Sequence, residues 1–155
     1  MEEKTNVMRI LDKLKIKYIS HSYADTAAVS GLEVAEVLNQ YPQRVFKTLV
    51  TAGKSGKHYV FVIPVAAELN LKKAAQSVNE KSIEMLKAKE LLPLTGYIHG
   101  GCSPVGMKKL FTTKLDGSAA SNDTILVSAG KIGYQVELSL AELQKAIPCQ
   151  LAELV

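Results

Sequence analysis

Apolar residues recur at the helical period between Asn6 and Lys15, where Val7, Ile10, Leu11 and Leu14 share one face. Lys17 to Ser22 alternates and predicts a strand. A second helix is predicted from Gly31 to Asn39, with Ser30 and Glu33 at capping-box spacing and Leu32, Ala35, Val37 and Leu38 as its buried face. Pro42 stops it. Arg44 to Thr51 and His58 to Pro64 are β-rich runs joined by the loop 52–57, a predicted hairpin. Asn70 is placed to cap a helix over Leu71 to Ser77. Ser82 to Met85 predicts a short strand, and Lys87 to Leu92 a helix of one or two turns ended by Pro93. Phe111 to Leu115, Thr124 to Ser128 and Ile132 to Leu138 predict further strands, with Ala129-Gly130-Lys131 as the tight turn between the last two. Ser139 and Glu142 repeat the capping spacing before a helix to Ala146, and Cys149 to Leu154 is apolar enough to add an edge strand. Strands and helices mix without regular alternation. The expected fold is therefore α+β, one domain over residues 1–155, with a central mixed and mainly antiparallel sheet flanked by helices.

Composition narrows the classes. The 155 residues are 47% hydrophobic, enough to fill one core and too much for a disordered chain. No apolar run approaches the ~20 residues that span a bilayer. Met1-Glu2-Glu3-Lys4 lacks the form of a secretory signal, so a cytoplasmic protein with no membrane partner is expected. Cys102 and Cys149 are too few for a disulfide framework and are expected as free thiols. No Cys/His cluster has metal-ligand spacing, so no metal and no cofactor is assigned. The net charge of +4 suits a polyanionic partner without requiring one. Lysines gather at Lys54 and Lys57, Lys72 and Lys73, Lys108 and Lys109, and Lys114, mostly near turns, which suits scattered phosphate contacts more than a recognition helix. The chain shows no aromatic platform for single-stranded bases.

Two features carry candidate chemistry. Lys47 stands inside Val45-Phe46-Lys47-Thr48-Leu49-Val50, where both strand faces are largely apolar. A lysine there either snorkels to water or enters a pocket and needs an anion or carbonyl partner. The second feature is Thr95 to Gly106, with a G-x-x-x-P spacing from Gly100 to Pro104 and Gly101, Cys102 and Ser103 between. Such a loop serves either as a clamp of backbone N–H groups or as a sharp turn that needs positive φ. It lacks the Lys-Ser/Thr ending of a phosphate-binding loop. Cys102 has no fixed base and reads more readily as a small buried hydrophobe than as a nucleophile. His21, His58 and His99 form no triad or ligand pattern. Tyr23 either lines a pocket or caps the core, and Ser128-Ala129-Gly130-Lys131 is either a hydroxyl-and-phosphate contact or an ordinary turn.

Taken together, Val45-Phe46-Lys47-Thr48-Leu49, Pro64-Val65-Ala66, Leu69-Asn70-Leu71-Lys72-Lys73, Thr95 to Gly106, Ser128 to Gly133 and Val136-Glu137-Leu138 are collinear over nearly the whole chain. In these segments the chain resembles the YbaK and prolyl-tRNA synthetase editing-domain family, above all its free-standing cysteinyl-tRNA(Pro) deacylases. The resemblance implies a trans-editing hydrolase that deacylates mischarged tRNA. It makes Lys47 the main functional side chain, with the Gly100–Pro104 loop holding the aminoacyl ester. The substrate's own thiol would attack its carbonyl, so that no protein nucleophile is needed. On this reading Lys47, Gly100 and Gly101 are catalytic. Tyr23, Phe46, Thr48, Cys102, Ser103, Pro104, Ser128, Gly130 and Gln135 line the substrate site. Gln135 stands where that branch often carries an acid. The implied partners are the tRNA acceptor end and prolyl-tRNA synthetase. Two alternatives stay open: a deacylase for another amino acid, such as alanyl-tRNA(Pro), and a non-catalytic tRNA- or synthetase-binding module of the same fold.

Overall fold

The computed structural model describes residues 4–155. Helix α1 (Asn6–Lys13) starts where Thr5 Oγ1 accepts from Met8 N–H, and buries Val7, Met8 and Leu11. It ends two residues earlier than expected, and Leu14 is half exposed beyond it. Strand β1 (Ile19–Ser22) follows. Helix α2 (Gly31–Val37) has the predicted capping box: Ser30 Oγ accepts from Glu33 N–H at 3.2 Å, and Glu33 Oε1 accepts from Ser30 N–H at 3.0 Å. Its buried face differs from the expectation. Val34 and Ala35 are buried, while Leu32 and Val37 are about half exposed. Gly31 sets this rotation by close approach, since a Cβ there would overlap the Val65 side chain at 2.4 Å.

A 3-10 turn (Pro42–Arg44) leads into β2 (Phe46–Gly53), and β3 (His58–Pro64) pairs back onto it as the predicted hairpin. Helix α3 (Leu71–Ser77) is capped by Asn70, and β4 (Ile83–Met85) follows. Helix α4 (Ala88–Thr95) runs through Pro93 instead of stopping before it. Thr95 Oγ1 donates to Leu91 O at 2.8 Å and Gly96 N–H to Leu92 O at 2.9 Å, so the carbonyls on either side of the helix end are satisfied past the proline. Strand β5 (Thr112–Asp116), a 3-10 turn (Gly117–Ser121), β6 (Ile125–Ser128), β7 (Tyr134–Leu138), α5 (Leu140–Ala146) and β8 (Gln150–Ala152) complete the order. The β6–β7 turn takes in residues 129–133, longer than the expected three, and closes with Ala129 N–H donating to Tyr134 O at 3.0 Å.

The strands form one set ordered β1-β7-β6 and one ordered β4-β2-β3-β5-β8. Pairings of β1 with β7, β6 with β7, β2 with β3 and β2 with β4 are antiparallel; β3 with β5 and β5 with β8 are parallel. This is the expected mixed, mainly antiparallel arrangement, and the apolar tail is the expected edge strand. Strand β4 covers only Thr51–Gly53 of β2, which leaves the first half of that edge open. There β6 joins through a parallel bridge, Val45 to Leu126, and links the two sets.

One face holds the main core. Phe46, Val50, Val60, Val62, Leu115, Ile125, Val127, Val136 and Leu138 pack there with Val7, Met8 and Leu11 of α1 and Leu143 of α5. The other face carries two smaller clusters. Tyr59, Phe61 and Ile63 meet Ala74 and Ala75 of α3, and Val45, Val65 and Leu126 meet Ala35 of α2. Among the described residues no helix is long and apolar enough to cross a membrane.

Candidate functional site

Strand register assembles the site. Gln135 of β7 faces Ser128 of β6 on one side and His21 of β1 on the other. The Val45–Leu126 bridge, carried two residues along both parallel strands, sets Lys47 beside Ser128. Lys47, Ser128, Gln135 and His21 thus form one row on the face away from the main core. Alternation turns Phe46 and Thr48 the opposite way. Phe46 is 2% exposed and packed in the main core, so the structure gives it a packing role and does not bring it to the Lys47 row.

Three segments converge at the 129–133 turn, where this row ends. Tyr23 N–H donates to Gly133 O at 2.7 Å, and the Tyr23 side chain is buried. Gly101 lies so close that a Cβ on it would sit 3.3 Å from Ile132 N. Gly100, with φ +88°, holds a left-handed conformation that a side chain would strain. Ser128 Oγ accepts from Gly130 N–H at 3.1 Å and shapes the turn from inside. Ser103 is fully buried and its Oγ accepts from Val105 N–H at 3.2 Å, with Pro104 between them.

The polar groups of this region are conspicuously unpaired. Gly101 N–H donates to Ile98 O at 3.0 Å, but the N–H groups of Gly100, Cys102 and Ser103 donate to no acceptor among the described residues. Cys102 and Ser103 are buried. Buried main-chain donors without acceptors are rare and each costs about 1–3 kcal/mol. Lys47 is half-buried and its ammonium has no hydrogen bond or ion pair among the described residues. Gln135 Oε1 is likewise buried without a partner, as is Thr48 Oγ1 on the opposite face.

The thiol behaves otherwise. Burial pushes Cys102 up to about 12. Burial first, and Cys102 second, push the Tyr97 phenol up to about 12. On the order of one Cys102 in 10⁵ is a thiolate at neutral pH, which makes it a packing group. Cys149 is also free and buried. Among the described residues no group of three His, Cys, Asp or Glu side chains is placed to hold a metal ion.

The sequence reading passed over one network. His21 Nε2 lies 2.8 Å from Glu137 Oε1, Arg44 Nη2 donates to Glu137 Oε2 at 2.8 Å, and Thr124 Oγ1 donates to Glu137 Oε2 at 2.6 Å. Burial opposes the Glu137 charge, but the Thr124 and His21 hydrogen bonds and the Arg44 and His21 charges outweigh it and hold the carboxyl below its usual range. A glutamate on the solvent-alternating positions of a strand gave no local sign of this, since Thr124, Arg44 and His21 lie 13, 93 and 116 residues away.

The chain matches the aminoacyl-tRNA editing domain family over residues 25–146. It is 44% identical over 154 residues to a protein of Enterococcus faecalis, EbsC, named as a Cys-tRNA(Pro)/Cys-tRNA(Cys) deacylase; the match covers 99% of this chain and 94% of that one. In fold it is similar to the crystal structure of a hypothetical protein (TM-score 0.88, 22% identity, 97% of this chain and 99% of that one). It is also similar to a structure described as a trans-editing enzyme for prolyl-tRNA synthetase (TM-score 0.82, 23% identity, 98% of each chain). The chain belongs to the aminoacyl-tRNA editing domain family.

Proposed function

We propose that this protein hydrolyses the ester of mischarged tRNA, with cysteinyl-tRNA(Pro) as its main substrate, and that residues 1–155 act as a single editing domain. The observation that carries the reading is the pair of buried, acceptor-free N–H groups of Cys102 and Ser103, in the loop whose Gly101 packs against Ile132 of the 129–133 turn. They suit an oxygen that gains negative charge. Attack on the ester carbonyl puts that charge on the carbonyl oxygen, where preorganised donors act most strongly; loss of one such donor costs about 10²–10³ in rate.

The rest follows from what each group can reach. Lys47 supplies an uncommitted cation for the terminal adenosine or its phosphate. Gly100 and Gly101 let the loop backbone approach the ester, Gly100 by its conformation and Gly101 by its fit against Ile132. Tyr23, Ser128, Gly130 and Gln135 border the aminoacyl group, with the Gln135 amide offering a neutral contact in place of an acid. The attacking group is the substrate's own thiol or water, in keeping with a Cys102 thiol held protonated. A bond forms from the attacking oxygen or sulfur to the carbonyl carbon as the bond to the ribose oxygen breaks; the proton of the attacking group passes to that oxygen, and water opens the thiolactone that thiol attack leaves. Dispersed lysines hold the acceptor end through phosphates, and a synthetase partner supplies the tRNA choice that so small a protein does not make.

Release of amino acid from purified cysteinyl-tRNA(Pro) and alanyl-tRNA(Pro) tests this. Faster release from the cysteinyl substrate supports the proposal. Release from the alanyl substrate alone moves the specificity, and binding without release above the enzyme-free rate replaces the hydrolase with a binding module.

A further inference from the structure

Away from the Lys47 row, the turn Pro42–Arg44 and the segment 121–123 enclose a hollow of about 310 Å³ lined by Tyr41, Arg44, Ser121, Asn122 and Asp123. This is the low end of the ~300–1,000 Å³ of small-ligand sites. Tyr41 is 75% exposed, and no hydrogen bond holds its hydroxyl among the described residues. Pro42 fixes the chain directly after it. Asn122 Nδ2 donates to Gln43 O and to Ser118 O, both at 3.3 Å, so the two walls are pinned to each other and the hollow is preformed.

The free polar atoms are mostly acceptors. The two bonds made by Asn122 Nδ2 leave its Oδ1 uncommitted, and the Asp123 carboxylate has no partner among the described residues. Arg44 donates through Nε to Thr124 O, through Nη1 to Gln40 Oε1, and through Nη2 to Thr124 Oγ1 and Glu137 Oε2. Of its five N–H groups one remains. An exposed aromatic ring beside the Asp123 and Asn122 acceptors, with one Arg44 N–H and the Ser121 and Tyr41 hydroxyls able to donate or accept, suits a flat heterocycle that carries an amine.

We propose that this hollow binds one unpaired nucleobase with an exocyclic amine, stacked on Tyr41 and donating to Asp123 and Asn122. The inference rests on the tRNA-deacylase reading for its ligand, a base in the single-stranded 3′ end. Arg44 ends the Pro42–Arg44 turn three residues before Lys47, and the extended chain that follows limits their separation to roughly 10 Å. A stacked strand rises ~3.4 Å per nucleotide, so a base about three nucleotides from the esterified end falls in this range. Uracil would turn carbonyl oxygens toward the same acceptors and is disfavoured. The sequence reading found no aromatic platform because Tyr41-Pro42 reads locally only as a helix stop.

The test is binding of the tetraribonucleotides ACCA and UUUU by fluorescence anisotropy, with wild type, Tyr41→Ala, Tyr41→Phe and Asp123→Asn. The expected result is tighter binding of ACCA, a loss of at least about fivefold for Tyr41→Ala with near wild-type affinity for Tyr41→Phe, and a reduced preference for ACCA in Asp123→Asn. Equal affinity of wild type and Tyr41→Ala for ACCA overturns the base pocket whether or not the protein deacylates tRNA. Selective, Tyr41-dependent binding in a protein that releases no amino acid supports the pocket and contradicts the deacylase reading.

Discussion

Tyr97 Oη donates to the carbonyl oxygen of Val105 at 2.5 Å, and that bond ties the residue just past α4 to the far side of the glycine loop. Lys108 N–H donates to Thr95 O at 3.1 Å across the ends of the loop, and Gly101 fits against Ile132. Replacing Tyr97 by Phe removes the latch and keeps the ring packing. The expected loss of stability is about 1 kcal/mol, read as a small fall in the urea midpoint. Because positioning errors near 1 Å cost on the order of 10²-fold in rate, kcat should fall by about tenfold or more. A variant with unchanged kcat would show that the latch does not position the loop.

Gly101→Ala tests the close approach. The added Cβ would lie 3.3 Å from Ile132 N, a main-chain atom that can yield only by moving the 129–133 turn. Deacylation should drop by about tenfold or more, while the circular dichroism spectrum stays that of the wild type. Wild-type turnover would mean that the turn and the loop adjust together at no cost to the site.

Cys102→Ser separates packing from nucleophilic chemistry. With the thiol pushed up to about 12, the protein has almost no Cys102 thiolate to use at neutral pH. The variant is expected to keep activity within about threefold and to lose roughly 1 kcal/mol of stability from burying a hydroxyl. A covalent adduct at Cys102, trapped during turnover and seen by mass spectrometry, would contradict this.

Glu137 predicts a pH effect. Its carboxyl titrates below the ordinary value of 4.5, so the folded state favours the charged form. The stability it supplies is present above about 4.5 and is lost as pH falls through the lower folded value. Glu137→Gln should therefore be about 1–2 kcal/mol less stable than wild type at neutral pH. The gap should narrow as pH falls below about 4.5, measured as urea midpoints. A gap that stays constant with pH would remove Glu137 from the account of acid stability.

Local signals found the elements whose causes are local. The β-branched and aromatic residues of His58–Pro64 match β3, and Asn70, Ser30 and Ser139 each cap the helix they were expected to cap. Pro93 misled because a proline forfeits only its own bond to Lys89 O, and the helix closes beyond it with Thr95 Oγ1 on Leu91 O and Gly96 N–H on Leu92 O. Leu32 and Val37 misled because a helix of two turns offers several apolar faces, and contact with Val65 selects the one with Val34. The parallel pairings and the Val45–Leu126 bridge join distant segments, so no local pattern contains them. The site shows the same division. Lys47 and the glycine loop stood out by composition, whereas the row with Ser128 and Gln135, the free N–H groups of Cys102 and Ser103, and the Tyr41 hollow exist only once the sheet is closed.

The most direct measurement compares cysteine release from cysteinyl-tRNA(Pro) by wild type and by Lys47→Ala under single-turnover conditions, with a thermal melt of each. Lys47 carries no hydrogen bond or ion pair among the described residues, so its loss should leave the melting temperature nearly unchanged. The account predicts release by the wild type well above the spontaneous rate and a fall of about 10²-fold or more in the variant. Equal rates in the two proteins, with both folded, would contradict it.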